Sequence, residues 1–581
     1  MTNVLEYLER SAERFPEKTA FADPDAEITY EGLVRRAKRI GTALAALQEP
    51  GKPVPVFMGK GVDTIAAFMG AVYAGCFYCL VDTHQPLPRF HQIMETLETD
   101  FILTSHAWDE ELSALLPADS EKAESPAAAK AESFTDTESP AAAKAESFTD
   151  AESPAAAKEE SFTDTELPAA AKAGFSEGPE SRNAVKAGTS ADGNLLFRGK
   201  IVYLEDLEKT ETDESLLAEI RAKALDIDPL YCNFTSGSTG VPKGVAVCHR
   251  SVIDFMECFT KIFGLTENDI LGNQAPFDFD VSVKDIYSTL KCGATMEIIP
   301  TKYFSIPMQL LDFLTERRVT VLIWAVSALC IISQLHGFDY KVPSEVKKVL
   351  FSGEVMPVRH LILWQEALPD AQFVNLYGPT EITCNCTYYT VDHKWKPGEV
   401  LPSGIPFPNE RVFLLDENDR LITERNVTGE LCVSGTALAL GYYNNPEQTA
   451  RAFVQNPLNK NFPERIYRTG DLAFYNENGE FCFASRRDFQ IKHMGHRIEL
   501  GEIDAAFDGV PEVGRACCIY ENNRIIAFYT GEIERKELSQ ALSKTLPNYM
   551  IPNVFVKKDR LPLTKNGKID RKALAEGYHK K

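Results

Sequence analysis

Short apolar runs alternate with amphipathic stretches over most of the chain. Apolar runs at residues 53–58, 319–324 and 346–351 are each followed by a stretch with helical spacing, and a further run lies at 200–203. The helices predicted after the first three runs cover residues 62–74, 327–334 and 359–367. This alternation is typical of a sheet with flanking helices, so we predict an α/β fold with a large N-terminal domain.

The pattern changes after residue 410. Shorter runs separated by turn residues, at 411–416, 429–434 and 479–484, predict a small β-rich subdomain. The last hundred residues mix predicted strands with predicted helices and favour a small α+β unit. Its strands are predicted at 515–520, 525–530 and 554–557, and its helices at 501–507 and 535–544.

A repeat of 14 residues interrupts this pattern. Pro-Ala-Ala-Ala-Lys follows Ser125, Ser139, Ser153 and Leu167, and residues 121–173 contain 12 acidic and 5 basic side chains. Each copy offers too little apolar surface for a stacked repeat core. We therefore predict a disordered low-complexity insert at about residues 121–190, with a partner-binding or phosphorylated segment as the alternative.

Length and charge restrict the class of protein. A chain of 581 residues is too long for one core. Its net charge of −23 argues against nucleic acid or an anionic membrane as a general partner. The charged N-terminus lacks the apolar region of a signal peptide, and no later run is long enough to insert into a membrane. We predict a cytoplasmic protein.

One segment, Thr235-Ser-Gly-Ser-Thr-Gly-Val-Pro-Lys-Gly244, has the composition of a phosphate-binding loop. Glycines bring backbone N–H groups close to an anion, hydroxyls add donors, and Lys243 adds a positive charge. The order differs from the GxxxxGK[ST] loop, so it does not indicate a Walker-type ATPase. Taken alone, such a segment is more often an ordinary loop.

Further motifs follow this loop along the chain. They are Phe279-Asp-Val-Ser-Val283, Asn375-Leu-Tyr-Gly-Pro-Thr-Glu381, Gly429-Glu-Leu431, Tyr467-Arg-Thr-Gly-Asp471, Arg486-Arg-Asp488 and Asn566-Gly-Lys-Ile-Asp-Arg571. In this order they resemble the adenylate-forming enzymes, and among them the amino-acid adenylation domains of nonribosomal peptide synthetases. The resemblance covers nearly the whole chain apart from the insert.

A narrower set of motifs resembles the D-alanine–D-alanyl carrier protein ligases, stand-alone enzymes of teichoic acid alanylation. These motifs are Asn273-Gln-Ala-Pro-Phe-Asp-Phe-Asp280 with its continuation to Tyr287, Ser352-Gly-Glu-Val355, Arg487-Asp-Phe-Gln-Ile-Lys492 and Leu546-Pro-Asn-Tyr-Met-Ile-Pro552. The resemblance implies ATP-dependent activation of an amino acid, with D-alanine as the first candidate, and transfer to the phosphopantetheine thiol of a carrier protein. Because the chain ends soon after Arg571, we expect the carrier to act in trans.

The resemblance also implies which residues bind ATP and Mg²⁺. Thr239 and Glu381 are the expected metal ligands, which suits a hard cation that prefers oxygen. Tyr377 is expected to face the adenine, and Asp471 and Arg486 the ribose. The full set of expected ATP-binding residues is Thr235, Ser236, Gly237, Ser238, Thr239, Gly240, Lys243, Gly353, Glu354, Asn375, Tyr377, Gly378, Thr380, Asp471, Arg486 and Lys568.

Lys568 is the predicted catalytic residue, because an ammonium between the attacking carboxylate and the α-phosphate stabilises the transition state. A turn with a solvated lysine is the alternative. The resemblance implies domains at 1–487 and 488–581, the second a mobile lid that rotates about a hinge at Asp488. After rotation, the segment from Lys492 to residue 501 is expected to approach the phosphopantetheine arm, with Gly495 allowing close passage.

The resemblance implies that Asp280 binds the substrate ammonium, which suits a carboxylate because an unpaired one would be costly to bury. A helix N-cap is the alternative role. Lys284 lies four residues on, where it would pair with an acidic substrate or fill the floor of the pocket. The remaining predicted substrate-binding residues are Val281, Ser352, Leu376 and Cys384. Lys284 and Ser352 depart from the D-alanine ligases, so another small or acidic amino acid is the alternative substrate.

Two rival functions stay open at this point. An acyl- or aryl-CoA ligase would use free coenzyme A and would not need Asp280. A non-catalytic binding module would keep the fold without the reaction, although Thr239, Glu381, Asp471 and Lys568 are all present. Activation of an acid that lacks an amine would indicate the acyl- or aryl-CoA ligase. Absence of pyrophosphate release would indicate the non-catalytic module.

Overall fold

The computed structural model describes residues 1–115, 188–189, 195–196, 199–237, 241–396, 399–487, 489–563 and 569–579. The predicted insert lies outside these residues, except that Gly188–Thr189 pairs with Leu195–Leu196 as a short antiparallel ladder. Five predicted site residues also lie outside them, namely Ser238, Thr239, Gly240, Asp488 and Lys568. None of the helices in the described part of the chain is long and apolar enough to cross a membrane.

The first sheet has nine strands and carries one edge of the site. Its middle six strands are mutually parallel and almost wholly buried, because each lies between helices on both faces. In spatial order its strands are Ile405–Pro406, Thr387–Thr390, Gln372–Tyr377, Lys348–Ser352, Val321–Ala325, Ile270–Asn273, Thr295–Ile298, Thr19–Ala22 and Glu27–Thr29. Parallel neighbours end at the same edge, which brings Ser352 and Tyr377 together.

The second sheet has seven strands and carries the glycine-rich segment. Its strands in spatial order are Gly441–Tyr442, Lys243–Cys248, Pro229–Thr235, Phe77–Leu80, Pro53–Val56, Phe101–Thr104 and Lys200–Tyr203. Thr235 pairs with Lys243 in antiparallel register. The strands that flank this segment are thus antiparallel neighbours, whereas a Walker loop leads from a strand into a helix.

The third sheet is antiparallel and corresponds to the predicted β-rich subdomain. Its strands are Leu421–Ile422, Glu410–Leu415, Gly429–Gly435, Arg465–Tyr475 and Phe453–Gln455, with Phe481–Arg486 paired to Arg465–Tyr475. The last pairing places Asp471 directly opposite Arg486. Cross-strand neighbours of opposite charge stabilise such a pair of strands.

Helices cover the faces of the first two sheets. They are Leu5–Arg14, Tyr30–Ala45, Val62–Tyr73, Leu87–Leu97, Asp109–Ser113, Leu204–Leu207, Glu214–Lys223, His249–Ile262, Val281–Cys292, Pro307–Glu316, Val326–Gln334, Gly337–Tyr340, Val358–Ala367 and Pro446–Ala452. Helix Val62–Tyr73 is buried on nearly every side, so its sequence is apolar almost throughout and not amphipathic.

The C-terminal residues form a small α+β unit, as predicted. A hairpin of Gln490–His493 and His496–Glu499 is followed by a sheet of Val513–Glu521, Arg524–Gly531 and Val554–Lys557 and by the helices Leu500–Asp508, Arg535–Leu542 and Arg571–His579. These elements enclose a separate hydrophobic core that includes Ile498, Ile503 and Leu538. A core of its own is what a domain that moves as a unit needs, and the boundary at 487/488 stays a prediction.

Candidate functional site

A cavity of about 1170 Å³ lies where the first sheet, the third sheet and the C-terminal hairpin meet. A smaller cavity of about 90 Å³ continues from it, and Val281, Gly353, Asp471 and Arg486 line both. Most of the predicted site residues line this space, although they come from distant parts of the chain. In the larger cavity these are Gly353, Glu354, Asn375, Leu376, Tyr377, Asp471 and Arg486, and in the smaller one Thr235, Ser236, Asp280, Val281, Ser352, Gly378, Thr380 and Cys384.

One end of the larger cavity is suited to a nucleoside. The Tyr377 hydroxyl donates a hydrogen bond to Oδ2 of Asp471, and Nη1 of Arg486 lies 2.7 Å from Oδ1 of the same carboxylate. Lys492 lies over the Tyr377 ring, with Nζ 5.8 Å from the ring centroid. A flat aromatic ring and a fixed carboxylate are groups that can bind a base and the two hydroxyls of a ribose.

The described part of the glycine-rich segment is tightly folded. A Cβ atom on Gly237 would lie 2.0 Å from the carbonyl oxygen of Val241, so only glycine fits there. Ser236 donates its hydroxyl to the carbonyl oxygen of Arg497 at 2.8 Å. Lys243 is buried, with Nζ 5.0 Å from the centroid of the Tyr442 ring. Ser236 thus ties this segment to the C-terminal hairpin.

Glu381 is fully buried between two cations. Its Oε2 lies 2.6 Å from Nη1 of Arg497, and its Oε1 accepts a 2.7 Å hydrogen bond from Tyr442 and lies 3.6 Å from Nζ of Lys243. Burial by itself would raise the pKa of Glu381, but the charges of Arg497 and Lys243 hold the pKa well below its usual range. Glu381 is therefore ionised.

The predicted Mg²⁺ ligand Glu381 has both oxygens in contact with other side chains. Both oxygens of Glu381 are engaged, and Arg497 occupies the position of a cation beside it. Among the residues that the structure describes, no group of three or more His, Cys, Asp or Glu side chains is placed to hold a metal. A metal at Glu381 would share this carboxylate with the charge of Arg497.

Replacing Glu381 with glutamine is expected to lower the free energy of unfolding by about 3–5 kcal/mol, because Arg497 and Lys243 are then buried without a counter-charge. Urea denaturation followed by circular dichroism measures this change. The control is Glu477→Gln, which removes a carboxylate from an exposed ion pair with Arg425 and should change stability by less than about 0.5 kcal/mol. Equal effects of the two substitutions would contradict the structural role of Glu381.

Contacts from the C-terminal hairpin and helix close the smaller cavity, and sequence reasoning missed most of them. The backbone N–H of Gly495 donates to Glu354 at 2.7 Å. The buried ion pair between Arg89 and Glu502 and the pairing of Arg497 with Glu381 were not predicted. No local pattern marks these partners, since the members of each pair lie far apart in the chain.

Aromatic contacts continue this closure. His496 stacks on Tyr549 with ring centroids 3.6 Å apart and meets the edge of Phe279 at 4.7 Å. Burial lowers the pKa of His496 to about 3, so the ring is neutral near pH 7. His496 is thus a neutral, packed side chain in the wall of the cavities.

Asp280 stands at the N-terminus of helix Val281–Cys292, as predicted, but its side chain makes no capping hydrogen bond. The N-cap alternative is therefore wrong for the carboxylate, which lines the smaller cavity. Burial raises the pKa of Asp280, while Lys284 and a hydrogen bond from Thr380 oppose that shift. A positively charged ligand group would stabilise the ionised carboxylate further.

The floor of the smaller cavity is built by a sharp turn after Gly378. Thr383 and Cys384 have φ angles of 51° and 76°, and the residue that follows this left-handed turn, Asn385, lines the cavity. A Cβ atom on Gly378 would lie 2.5 Å from the Cα of Asn385. Gly378, predicted from the sequence as an ATP-binding residue, is thus also required for the close approach of two backbone segments.

Lys284 does not line either cavity, but lies directly behind the floor. Its ammonium is fully buried, 2.7 Å from Oδ1 of Asn385 and 3.4 Å from Oγ of Ser352. Asn385 was not among the predicted site residues. It directly precedes Cys386, whose N–H donates to the carbonyl oxygen of Tyr377, and this position gives no sequence signal of its own.

Known proteins share this architecture. One chain of the mycosubtilin synthase of Bacillus subtilis is 28% identical over an alignment that covers 98% of this chain and 19% of that protein. The Vibrio cholerae adenylation domain AlmE, in complex with glycyl-adenosine-5'-phosphate, has a TM-score of 0.75 at 19% identity and covers 100% of this chain and 98% of its own. Holo-PA1221, a protein with adenylation and PCP domains bound to a vinylsulfonamide inhibitor, has a TM-score of 0.70 at 21% identity, covering 99% of this chain and 84% of its own.

The two solved structures show the fold, which is that of adenylation domains with a large N-terminal part and a smaller C-terminal part. The chain spans 19% of the length of the mycosubtilin synthase protein, so it matches one section of a much larger molecule. A family model described as AMP-binding enzyme matches residues 8–443. With this match, the chain belongs to the family of AMP-binding enzymes.

Proposed function

We propose that this protein activates an amino acid with ATP as an aminoacyl adenylate and transfers the aminoacyl group to the phosphopantetheine thiol of a separate carrier protein. One observation carries the proposal. Asp280, suited to a substrate ammonium, and the group of Tyr377, Asp471 and Arg486, suited to a nucleoside, line two cavities that share Val281, Gly353, Asp471 and Arg486. One site can therefore hold an amino acid and a nucleotide side by side.

The reaction balances in two steps. A carboxylate oxygen of the amino acid attacks the α-phosphorus of ATP, the bond to the bridging oxygen breaks, and pyrophosphate leaves with that electron pair. The carrier thiol then loses its proton and attacks the acyl carbon, so that a thioester forms and AMP leaves. Lys568 stabilises the charge that develops in the first step.

Several features support the remaining parts of the proposal. Holo-PA1221 joins an adenylation domain to a PCP domain in one protein, which suits a carrier as partner. The separate C-terminal core suits a lid that turns about Asp488. Mg²⁺ at Thr239 and Glu381 belongs to a state in which Arg497 has withdrawn from Glu381. The net charge of −23 disfavours nucleic-acid partners, and the charged N-terminus without an apolar region favours a cytoplasmic protein.

Two classes of amino acid are candidates. The motif resemblance implies D-alanine, and the buried Lys284 behind the floor favours an amino acid with an acidic side chain. The thioester-forming step makes the protein a carbon–sulfur ligase in either case. An acyl-CoA ligase is disfavoured by Asp280, since a carboxylate facing a substrate without an amine would stay unpaired.

Amino-acid-dependent exchange of pyrophosphate into ATP tests the first step, with the twenty L-amino acids and D-alanine offered separately. We expect exchange with at least one of them, and AMP formation with loss of free thiol when a phosphopantetheinylated carrier is added. Intact-protein mass spectrometry of the carrier detects the aminoacyl thioester. A folded, ATP-binding protein that supports no exchange with any amino acid would overturn the proposal.

A further inference from the structure

The floor of the smaller cavity presents hydrogen-bond donors and a buried positive charge. Lys284 donates to Oδ1 of Asn385 and lies within hydrogen-bond distance of Oγ of Ser352. Asn385 and Ser352 line the cavity in front of it. From this geometry we infer that the protein selects an amino acid whose side chain ends in a carboxylate, an inference that rests on the proposed function.

The helix sets the distance between the two ends of the substrate. Asp280 and Lys284 are four residues apart at the start of helix Val281–Cys292, so they share one helix face and differ by about 6 Å in rise. Asp280 suits an ammonium, and Lys284 suits an anion. An amino acid bound along this face places its α-amine at Asp280 and its side chain at Asn385 and Ser352, which have the charge of Lys284 behind them.

The hydrogen bonds of the floor turn the donors of Asn385 and Ser352 away from Lys284. Because Oδ1 of Asn385 accepts from Lys284, its NH₂ group points away from the ammonium. Because Oγ of Ser352 faces the same ammonium, its O–H group is left to donate elsewhere. A substrate side chain with acceptors can use these donors, and a carboxylate offers two oxygens and no donor.

The charge of Lys284 also favours a substrate side chain that ends in a carboxylate. Among the described carboxylates, none forms an ion pair with Lys284, and Asp285, the nearest in sequence, accepts instead from Nδ2 of Asn273 at 2.8 Å. Burial lowers the pKa of Lys284, with Asp280 and Asp285 opposing that shift. Once a substrate ammonium has taken the charge of Asp280, a neutral substrate side chain leaves Lys284 without a counter-charge.

Other substrate side chains fit the floor less well. The methyl group of alanine provides no acceptor, so the donors of Lys284, Asn385 and Ser352 would lose water without replacement. A basic side chain would meet Lys284 with like charge. A carboxamide supplies one acceptor but also brings two donors toward a floor that presents donors of its own. A carboxylate satisfies both the donors and the charge.

The test compares pyrophosphate exchange with L- and D-forms of aspartate, glutamate, asparagine, glutamine and alanine on the wild-type protein. We expect kcat/KM for one acidic amino acid to exceed that for alanine, and for the matching carboxamide, by at least about 10²-fold. If alanine or a carboxamide is preferred, this inference is wrong while the proposed function stands. If no amino acid supports exchange, the proposed function itself fails.

The variant Lys284→Met separates recognition from a purely structural role. It should lower kcat/KM for the acidic amino acid by about 10²-fold or more, and raise that for alanine or the carboxamide, because the buried charge is gone. The control Lys291→Met lies on the same helix, where Lys291 pairs with Glu257 away from the cavities, and should keep the wild-type preference. Thermal denaturation of both variants reports whether they fold.

A folded Lys284→Met protein that keeps the wild-type ratio of acidic to neutral substrates would overturn the inference. If that variant does not fold, Lys284→Gln provides the same test, since glutamine keeps a donor but not the charge. We then expect the preference to move from the acidic amino acid toward its carboxamide. An unchanged ratio in Lys284→Gln contradicts the inference equally.

Discussion

Replacing Asp280 with asparagine is expected to lower kcat/KM for amino-acid-dependent pyrophosphate exchange by about 10²-fold or more. Asp280 lines the smaller cavity without a capping hydrogen bond, so its carboxylate is available to a substrate ammonium. Removing one partner of a buried charge pair typically costs about 3 kcal/mol, which corresponds to about 10²-fold. Asparagine keeps the shape of the side chain, so the loss reports on charge.

The sharper measurement compares the amino acid with the same acid lacking its α-amine. In the wild-type protein the analogue leaves the charge of Asp280 unpaired, whereas the Asp280→Asn variant has no charge at this position. The ratio of kcat/KM for the amino acid to kcat/KM for the analogue should therefore fall steeply in the variant. Asp339→Asn, at an exposed surface position, is the control and should leave the ratio unchanged. A constant ratio in Asp280→Asn would refute binding of the amine by Asp280.

Replacing Lys568 with alanine is expected to lower pyrophosphate exchange by about 10²–10³-fold, while the affinity for the amino acid changes little. The reason is that an ammonium near the α-phosphate stabilises charge that is present in the transition state and not in the bound substrates. The residues on either side, Leu563 and Ile569, form an antiparallel bridge that brings the two ends of this stretch together. Steady-state exchange kinetics measure kcat and KM separately.

A second half-reaction assay makes this prediction specific. When synthetic aminoacyl adenylate and carrier are supplied, Lys568→Ala should form the thioester at nearly the wild-type rate, because the first step is bypassed. Lys572→Ala, an exposed position on helix Arg571–His579, serves as control and should resemble wild type in both assays. Equal losses in the two half-reactions would show that Lys568 is not specific to adenylation.

Most secondary structure was predictable because buried parallel strands are nearly continuous apolar runs. The strands Lys200–Tyr203 and Val554–Lys557 were predicted with the observed bounds, and the run predicted at 319–324 is the strand Val321–Ala325. Differences of one or two residues occur at the ends of the other elements, where hydrophobicity does not distinguish a strand from the loop that follows. The resemblance carried by the ordered motifs named a set of site residues, most of which line the cavities.

The role of single motif residues was less accessible. A glycine-rich segment indicates a close approach of the backbone, but it does not say to what. Gly378 shows the difference, since its missing Cβ makes room for Asn385. Asp280 shows it as well, because a residue at a helix N-terminus is a capping candidate until the side chain is located.

The sequence by itself determined the α/β class, the β-rich subdomain and the C-terminal unit, because these follow from local periodicity, and the family resemblance of its motifs named the residues expected at the site. Only the tertiary structure decided that Arg497 and Lys243 neutralise Glu381, that Arg89 pairs with Glu502, and that Asn385 and Ser352 stand in front of Lys284. These contacts depend on electrostatics between buried groups far apart in the chain, and burial is a property of the folded molecule that no local pattern contains.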